Sequence, residues 1–422
     1  MNHNPKFYIL ISIIVSGFII LLSDEKQVSL HILAIFILAV TSCVVVKFDF
    51  YHPMCWYPPF FFLYSCGYAI LYALNITAQY GYSKKSLVYS WIALGTTILV
   101  FPSNRISYTP LKLERDNLFL IELVLNISLL LSVLAMYNMV NRGFLNKADI
   151  YDNSGFFLNF IFKIQYLVII AFTYSLYIRL CKNEKISIVW VLKTFSVVIA
   201  FSMLTGERNY MFQIILLFIA CLSIYGKLSK KLILMLIPVG IVLFPLSHVY
   251  KYYFLSGVKN VFKINNLIFT FLDGEFVSAG RNLQILISNN CEGLIGIKAL
   301  TNDFVSTFFS TNFSIQLWFN NTFFAHSSIG YGFTLVGEGY VMGGLKGVFF
   351  LFLIIGLLVR ILYLYSVKNP FYMIVYLYMI PLFIYTIRAD FGNLISPMLK
   401  YAVLGGGIMY ILGKIRVRYE AA

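Results

Sequence analysis

Residues 326–350 read HSSIGYGFTLVGEGYVMGGLKGVFF, and the fold turns on what this stretch is. It leaves a mixed polar and aromatic segment and ends inside a long apolar run. Glycines at 330, 332, 337, 339, 343, 344 and 347 punctuate it, and one carboxylate, Glu338, stands where the apolar run begins. An acid at the edge of a membrane helix is costly unless it faces water, a partner or a substrate. The plain alternative is that the glycines let helices pack closely while Glu338 caps or pairs a helix start.

The rest of the chain makes that apolar run one of many. Hydrophobic residues form 60% of the 422 and charged residues 12%, with a mean hydropathy of +0.82. A soluble chain would carry roughly a quarter charged residues. The apolar runs are long and do not alternate, so they are helices rather than barrel strands. The reading is an all-α, polytopic integral membrane protein, a single integral membrane domain over 1–422. The net charge of +15 comes from Lys and Arg in short loops, which marks topology and not nucleic-acid binding. The six cysteines (43, 55, 66, 181, 221, 291) have no CxxC or CxxH spacing, so neither a disulfide framework nor a zinc site is expected.

About twelve spans are predicted, near 7–22, 28–46, 56–74, 86–102, 117–137, 156–180, 187–205, 209–226, 231–247, 337–359, 370–387 and 397–413. The first has no small-residue cleavage site and reads as a retained helix. One set of loops holds Lys6, Lys47, Arg179, Lys182, Lys227, Arg360 and Lys414 among others. The opposite set is sparser in Lys and Arg, which puts both termini in the cytoplasm. One connection breaks the pattern of short loops. Residues 248–330 lie on the outer side in this topology, are rich in aromatics, and include parts (258–272, 299–319) apolar enough to form short interfacial or re-entrant helices. No internal repeat is visible, which counts against a transporter built from duplicated halves.

There is no GxxxxGK[ST] and no DxD, and the histidines never come at metal-ligand spacing, so no nucleotide, metal or other cofactor is expected. The ionisable residues gather on the outer side. Arg208 follows Glu207 in TGERNYMF, Arg281 follows Asp273 and Glu275, His326 and Glu338 flank the tenth span's start, and Arg388 precedes Asp390. An arginine fork donates two hydrogen bonds at once and suits a pyrophosphate. A carboxylate or imidazole nearby can take the proton of an attacking hydroxyl. The bland readings stand beside these: an ion pair at a helix start for Arg208 with Glu207, and a structural pair for Arg388 with Asp390.

The residues TGERNYMF (205–212) and IGYGFTLVGEGYVMGGLKGVFF (329–350), with many spans and one large outer loop, resemble the bacterial O-antigen polymerases of the Wzy type. The paired RX10G motif of some members is not matched, because Arg281 is followed by Gly293, one residue too far. The resemblance implies a metal- and nucleotide-independent glycosyltransferase of the bacterial inner membrane. It would transfer a growing glycan from undecaprenyl pyrophosphate onto a new undecaprenyl-pyrophosphate-linked repeat unit at the periplasmic face. A chain-length regulator would be among its partners. On this reading Glu338, His326 and Arg281 are the catalytic candidates. Arg208, Arg281, Arg388, Tyr252, Tyr253 and Trp318 are the candidates for binding pyrophosphate or glycan. A flippase for the same lipid-linked oligosaccharide, and an O-antigen ligase, are the alternatives.

Overall fold

The computed structural model describes residues 5–77, 80–104, 106, 117–141, 156–226, 276–309, 313–325 and 332–415. The described residues are helical with no strand among them. Among the described residues seven helical stretches are long and apolar enough to cross a membrane, the last of them, Gly392–Lys414, made of two short α-helices joined by a π-helical stretch, and the protein is an all-α, polytopic membrane protein. The predicted span at 231–247 and much of the outer loop lie outside the described residues.

Two compact units divide the chain. The first comprises residues 1–107, 264–364 and 382–396. Its helices are α1 (Pro5–Leu22), α2 (Val28–Val45), α3 (Pro53–Ala73), α4 (Lys84–Val100), α9 (Val277–Ser288), α10 (Lys298–Phe308), α11 (Ile315–Phe323) and most of α12 (Leu335–Ser366). The second comprises 108–263, 365–381 and 397–422. It holds α5 (Leu118–Asn141), α6 (Phe156–Cys181), α7 (Ile188–Thr205), α8 (Arg208–Ile224), most of α13 (Pro370–Thr386), a π-helical stretch (Met398–Gly405) and α15 (Gly406–Lys414). The short α14 (Gly392–Pro397) begins in the first unit.

The helices start and persist for local reasons. Pro53 fits the first turn of α3, where its missing N–H costs nothing, and His52 Nδ1 accepts the Met54 N–H at 3.2 Å. Ser83 caps α4 through the Lys85 N–H, and Ser314 caps α11 through the Leu317 N–H. Within the apolar runs, hydroxyls return their protons to the preceding turn: Ser42 to Leu38 O, Thr97 to Ala93 O, Ser132 to Ser128 O, Thr173 to Ile169 O. Lipid offers no partner for them, so this internal bonding is what permits them there. Large apolar side chains such as Phe18, Leu22 and Leu130 are exposed, as expected for surfaces that lipid covers.

In the second unit, α5 and α6 are joined by Gln165, whose amide donates to Ser132 Oγ at 2.9 Å. At one end of the pair Arg179 bridges Glu122 and Glu184, with its guanidinium over the Trp190 ring. Helix α7 stops at Gly206 in the left-handed conformation (φ 69°), and α8 opens directly at Arg208.

The glycine-rich stretch is not one straight helix. At Gly343 and Gly344 the backbone leaves helical geometry, and Gly344 has φ 59° and ψ −133°. The chain turns so sharply that 335–342 crosses the start of the following arm. A Cβ on Gly347 would lie 2.1 Å from Gly339 O, and one on Gly339 would lie 2.6 Å from Val348 Cα. The predicted continuous span 337–359 is thus two arms, and the second alone has the length a bilayer needs. The break also leaves the last carbonyls of the first arm without helical partners. Residues 291–296 supply them: the Gly293 N–H donates to Tyr340 O at 3.1 Å, and those of Ile295 and Gly296 donate to Val341 O.

Candidate functional site: a buried carboxyl cluster

The site is built around the short arm 335–342. Helix α9 crosses α3 almost backbone to backbone, for a Cβ on Gly280 would lie 2.8 Å from Ser65 O. That contact fixes the next residue, Arg281, in the first turns of α9. Asn282, fully buried, donates its amide to Gly332 O at 2.7 Å. Gly332 in turn lies against Arg388 O, 3.0 Å from where its Cβ would be, and the Leu335 N–H donates to Ile387 O at 3.3 Å. Segments carrying Arg281, Glu338 and Arg388 are therefore stitched together at Gly332–Leu335. The Arg388 guanidinium lies over the Tyr385 ring, 4.9 Å from its centroid.

Glu338 has no exposed surface. Its Oε2 accepts the Phe391 N–H at 2.7 Å. Beside it are two more acids, Asp303 from α10 and Asp390 from the connection after α13. Asp303 is hydrogen-bonded to the Glu338 carboxyl and accepts the Gly392 N–H. Asp390 Oδ1 accepts both the Asn393 N–H at 2.9 Å and the Asn393 side-chain amide at 2.7 Å. Glu338 Oε1 and Asp303 Oδ2 have no donor among the described residues. Two carboxyls in contact, away from water, cannot both be ionised. Burial, then the Asp390 charge, pushes the Asp303 carboxyl up to about 7. Burial likewise raises Asp390, against the pull of its Asn393 donors.

A stability consequence has a definite sign. Unfolded, Asp303 would lose its proton near pH 4, whereas in the folded protein it keeps it to about 7. The folded state then binds more protons across this window, so stability should fall as pH rises from about 4 to about 7. Thermal midpoints of the purified protein at several pH values should show that slope, and Asp303→Asn should flatten it.

The opposite face of α10 does something else. Lys298, Thr301, Asn302 and Val305, with Leu294, Ile295, Phe313 and Trp318, line a groove of about 590 Å³. Helical spacing puts Asp303 with Ala299, Leu300 and Thr307 on the buried side and the groove residues on the other. One helix thus carries a carboxyl of the cluster and a wall of the groove.

Of the residues predicted from sequence, Arg281, Glu338, Arg388 and Trp318 lie in this unit. Arg208 opens α8 in the other, and His326, Tyr252 and Tyr253 fall outside the described residues. Asp390 is bonded by Asn393. Asp303 was not anticipated. The signal available was an acid on the apolar stripe of the amphipathic KALTNDFVSTF.

These features define a multi-pass membrane protein with a cluster of buried acids beside arginine-bearing segments. The model of the family O-antigen polysaccharide polymerase Wzy matches residues 275–419 of the chain. Arg281, Asp303, Glu338, Arg388, Asp390 and Trp318 lie inside the matched stretch, whereas Arg208, Tyr252 and Tyr253 lie outside it. No curated protein and no solved structure matches the chain.

Proposed function

We propose that this protein polymerises O-antigen repeat units, transferring the growing glycan from undecaprenyl pyrophosphate to a sugar hydroxyl of the next lipid-linked unit. The observation that carries the reading is the coincidence of the family match with the stretch holding the carboxyl cluster and two of the arginines. The anomeric phosphate bond already contains the energy of transfer, so the reaction calls for no nucleotide. Arg281 and Arg388 would contact the pyrophosphate and stabilise charge as it departs. Arg208 is a further candidate for a phosphate contact. The cluster around Glu338 would receive the hydroxyl proton, with His326 the other candidate base. Such a reaction belongs at the periplasmic face of the inner membrane, with both termini in the cytoplasm and a chain-length regulator as partner.

The groove beside α10 suits a glycan, because the Trp318 ring offers an apolar face to sugar C–H groups and Thr301 and Asn302 offer hydrogen bonds to hydroxyls. Trp318→Ala should raise KM for lipid-linked repeat units about tenfold, the effect of losing roughly 1.4 kcal/mol of contact, and leave kcat within about twofold. A fall in kcat alone would place Trp318 elsewhere in the reaction.

The decisive experiment is a lipopolysaccharide gel of a deletion strain complemented with wild type or variants. Core bearing a single repeat unit in the deletion, and a restored ladder with wild type, is the expected result. Core with no repeat unit would point to a flippase or a ligase. Lipid-linked polymer accumulates only when the ligase is missing.

A further inference from the structure

The second unit carries an arrangement in which the carboxyl cluster has no part. Helix α6 and the π-helical stretch Met398–Gly405 pack along a regular seam. Tyr166 stacks on Tyr401 with ring centroids 4.2 Å apart, and further along Ile170 lies 3.4 Å from where a Cβ on Gly406 would be. One turn before Tyr166, and directly before Tyr401, the seam ends in two lysines, Lys163 and Lys400. Both side chains are exposed, both lie in candidate spans, and they are within electrostatic reach of each other. Neither has an ion pair or a hydrogen bond among the described residues. Snorkelling explains one lysine near the end of a span. It gives no reason for two on separate helices to meet, which at membrane depth is unfavourable without an anion between them.

Polar atoms without partners gather on the same seam. Tyr378 from α13 is buried within electrostatic reach of both Tyr166 and Tyr401, and its hydroxyl has no hydrogen-bond partner among the described residues. Tyr210 of α8 meets the Tyr166 ring edge-on at 5.1 Å. Gln213, one turn on, is only 1% exposed, yet neither atom of its amide is bonded among the described residues. Asn209 Oδ1, one turn back on that face, lacks a donor as well. Buried amide atoms left unpaired destabilise a fold, so their retention points to a polar occupant. A π-helical stretch within a helical run is itself frequent at functional sites.

We propose that this end of the second unit binds the pyrophosphate of a lipid-linked substrate, with Lys163 and Lys400 as the two cations that hold it. This rests on the polymerase reading, in which two lipid pyrophosphates are present at once. One departs, and Arg281 and Arg388 of the first unit are assigned to it. The other stays joined to its sugar, so the lysine site is the acceptor's. The residue types agree with that division, since a departing oxyanion gains from a fixed planar fork, whereas an anion that is only retained is served by compact point charges. Charge also selects the ligand. A membrane phosphodiester brings one negative charge, and a pyrophosphate between lipid and sugar brings two, one for each ammonium group. A lipid headgroup has access, because Lys163 stands near the start of α6, about 24 Å along the helix from the end where Arg179 bridges Glu122 and Glu184. Arg208 opens α8 just before Tyr210, which meets this seam.

The test uses the full-length protein purified in detergent and follows bound lipid by native mass spectrometry, with undecaprenyl pyrophosphate as the probe and phosphatidylglycerol as the competitor. Wild type should bind the probe at two sites. The double variant Lys163→Gln with Lys400→Gln should lose one of them, its affinity there falling at least about tenfold. The double variant Lys163→Arg with Lys400→Arg, which keeps both charges, should retain it. In turnover of synthetic lipid-linked repeat units, the glutamine variant should raise KM at least about tenfold and leave kcat within about twofold, the pattern of a contact made equally before and during reaction. Unchanged probe binding in the glutamine variant overturns the proposal and leaves the lysines as snorkelling side chains. A loss of binding that the arginine variant shares overturns it too, since charge is then not what matters. Phosphatidylglycerol that displaces the probe from this site at equal concentration shows a general anionic-lipid contact and overturns it as well. Should the double variant not fold, Lys163→Gln alone decides: weaker probe binding supports the proposal, and unchanged binding overturns it. Absence of polymer from wild type, in the assay and in the deletion strain, overturns the polymerase reading and the acceptor site with it. Polymer from wild type alongside a glutamine variant of unchanged KM and binding overturns this proposal alone.

Discussion

Gly347→Val should leave no folded protein in the membrane. A Cβ at this position would sit 2.1 Å from Gly339 O and 3.2 Å from Gly339 C, both backbone atoms that cannot rotate away. The reciprocal contact, Gly339 against the Val348 backbone, closes the other side. Relief would require the two arms of α12 to separate, and with them the arm that carries Glu338. Overpacking of this severity belongs with the rare substitutions that cost more than about 4 kcal/mol, against a total stability of about 5–15 kcal/mol. Size-exclusion chromatography of detergent extracts would show loss of the monodisperse peak. Gly95→Ala, at a helical glycine with nothing within 4 Å of the added Cβ, is the control and should elute as wild type does. A normal peak for Gly347→Val would mean the arms do not cross at these glycines.

Arg281→Ala should abolish the polymer ladder while leaving the protein folded. Its backbone is fixed by the packing of Gly280 on Ser65, and Asn282 beside it is tied to Gly332, so the guanidinium starts from a defined place. Losing one preorganised donor to a departing oxyanion costs about a hundredfold to a thousandfold in rate. Lysine keeps the charge but not the planar fork, so Arg281→Lys should recover only part of it. Gel analysis of complemented deletion strains would read both variants. A full ladder from Arg281→Ala would remove this residue from the pyrophosphate site.

Much of the fold is legible because hydropathy reports which residues can sit in lipid. Predicted spans such as 7–22, 28–46 and 187–205 coincide closely with α1, α2 and α7. Hydropathy does not report direction. The stretch from Leu335 to Phe350 is apolar on both sides of Gly343–Gly344, so a sharp turn there leaves no trace in composition. The glycine spacing reads equally well as ordinary helix packing. Glu338 was visible as an acid out of place, and Arg281 and Arg388 as arginines near an outer boundary. Their convergence on Gly332–Leu335 was not, because it depends on backbone contacts between segments far apart in the chain. Asp303 was hidden for the same reason. Nothing local to KALTNDFVSTF says that its apolar face will meet another carboxyl, and only α10 packed against the short arm reveals it.

The capping of Tyr340 and Val341 by residues 291–296 gives the intervening chain a fixed length. Helix α9 and its following turn act as a ruler, with Arg281 at one end and the Gly293 N–H, anchored on Tyr340 O, at the other. Removing or inserting one residue between them would turn Arg281 by about 100° around the helix axis relative to that anchor. This interval should therefore accept many exchanges of one side chain for another and yet reject any change in the number of residues.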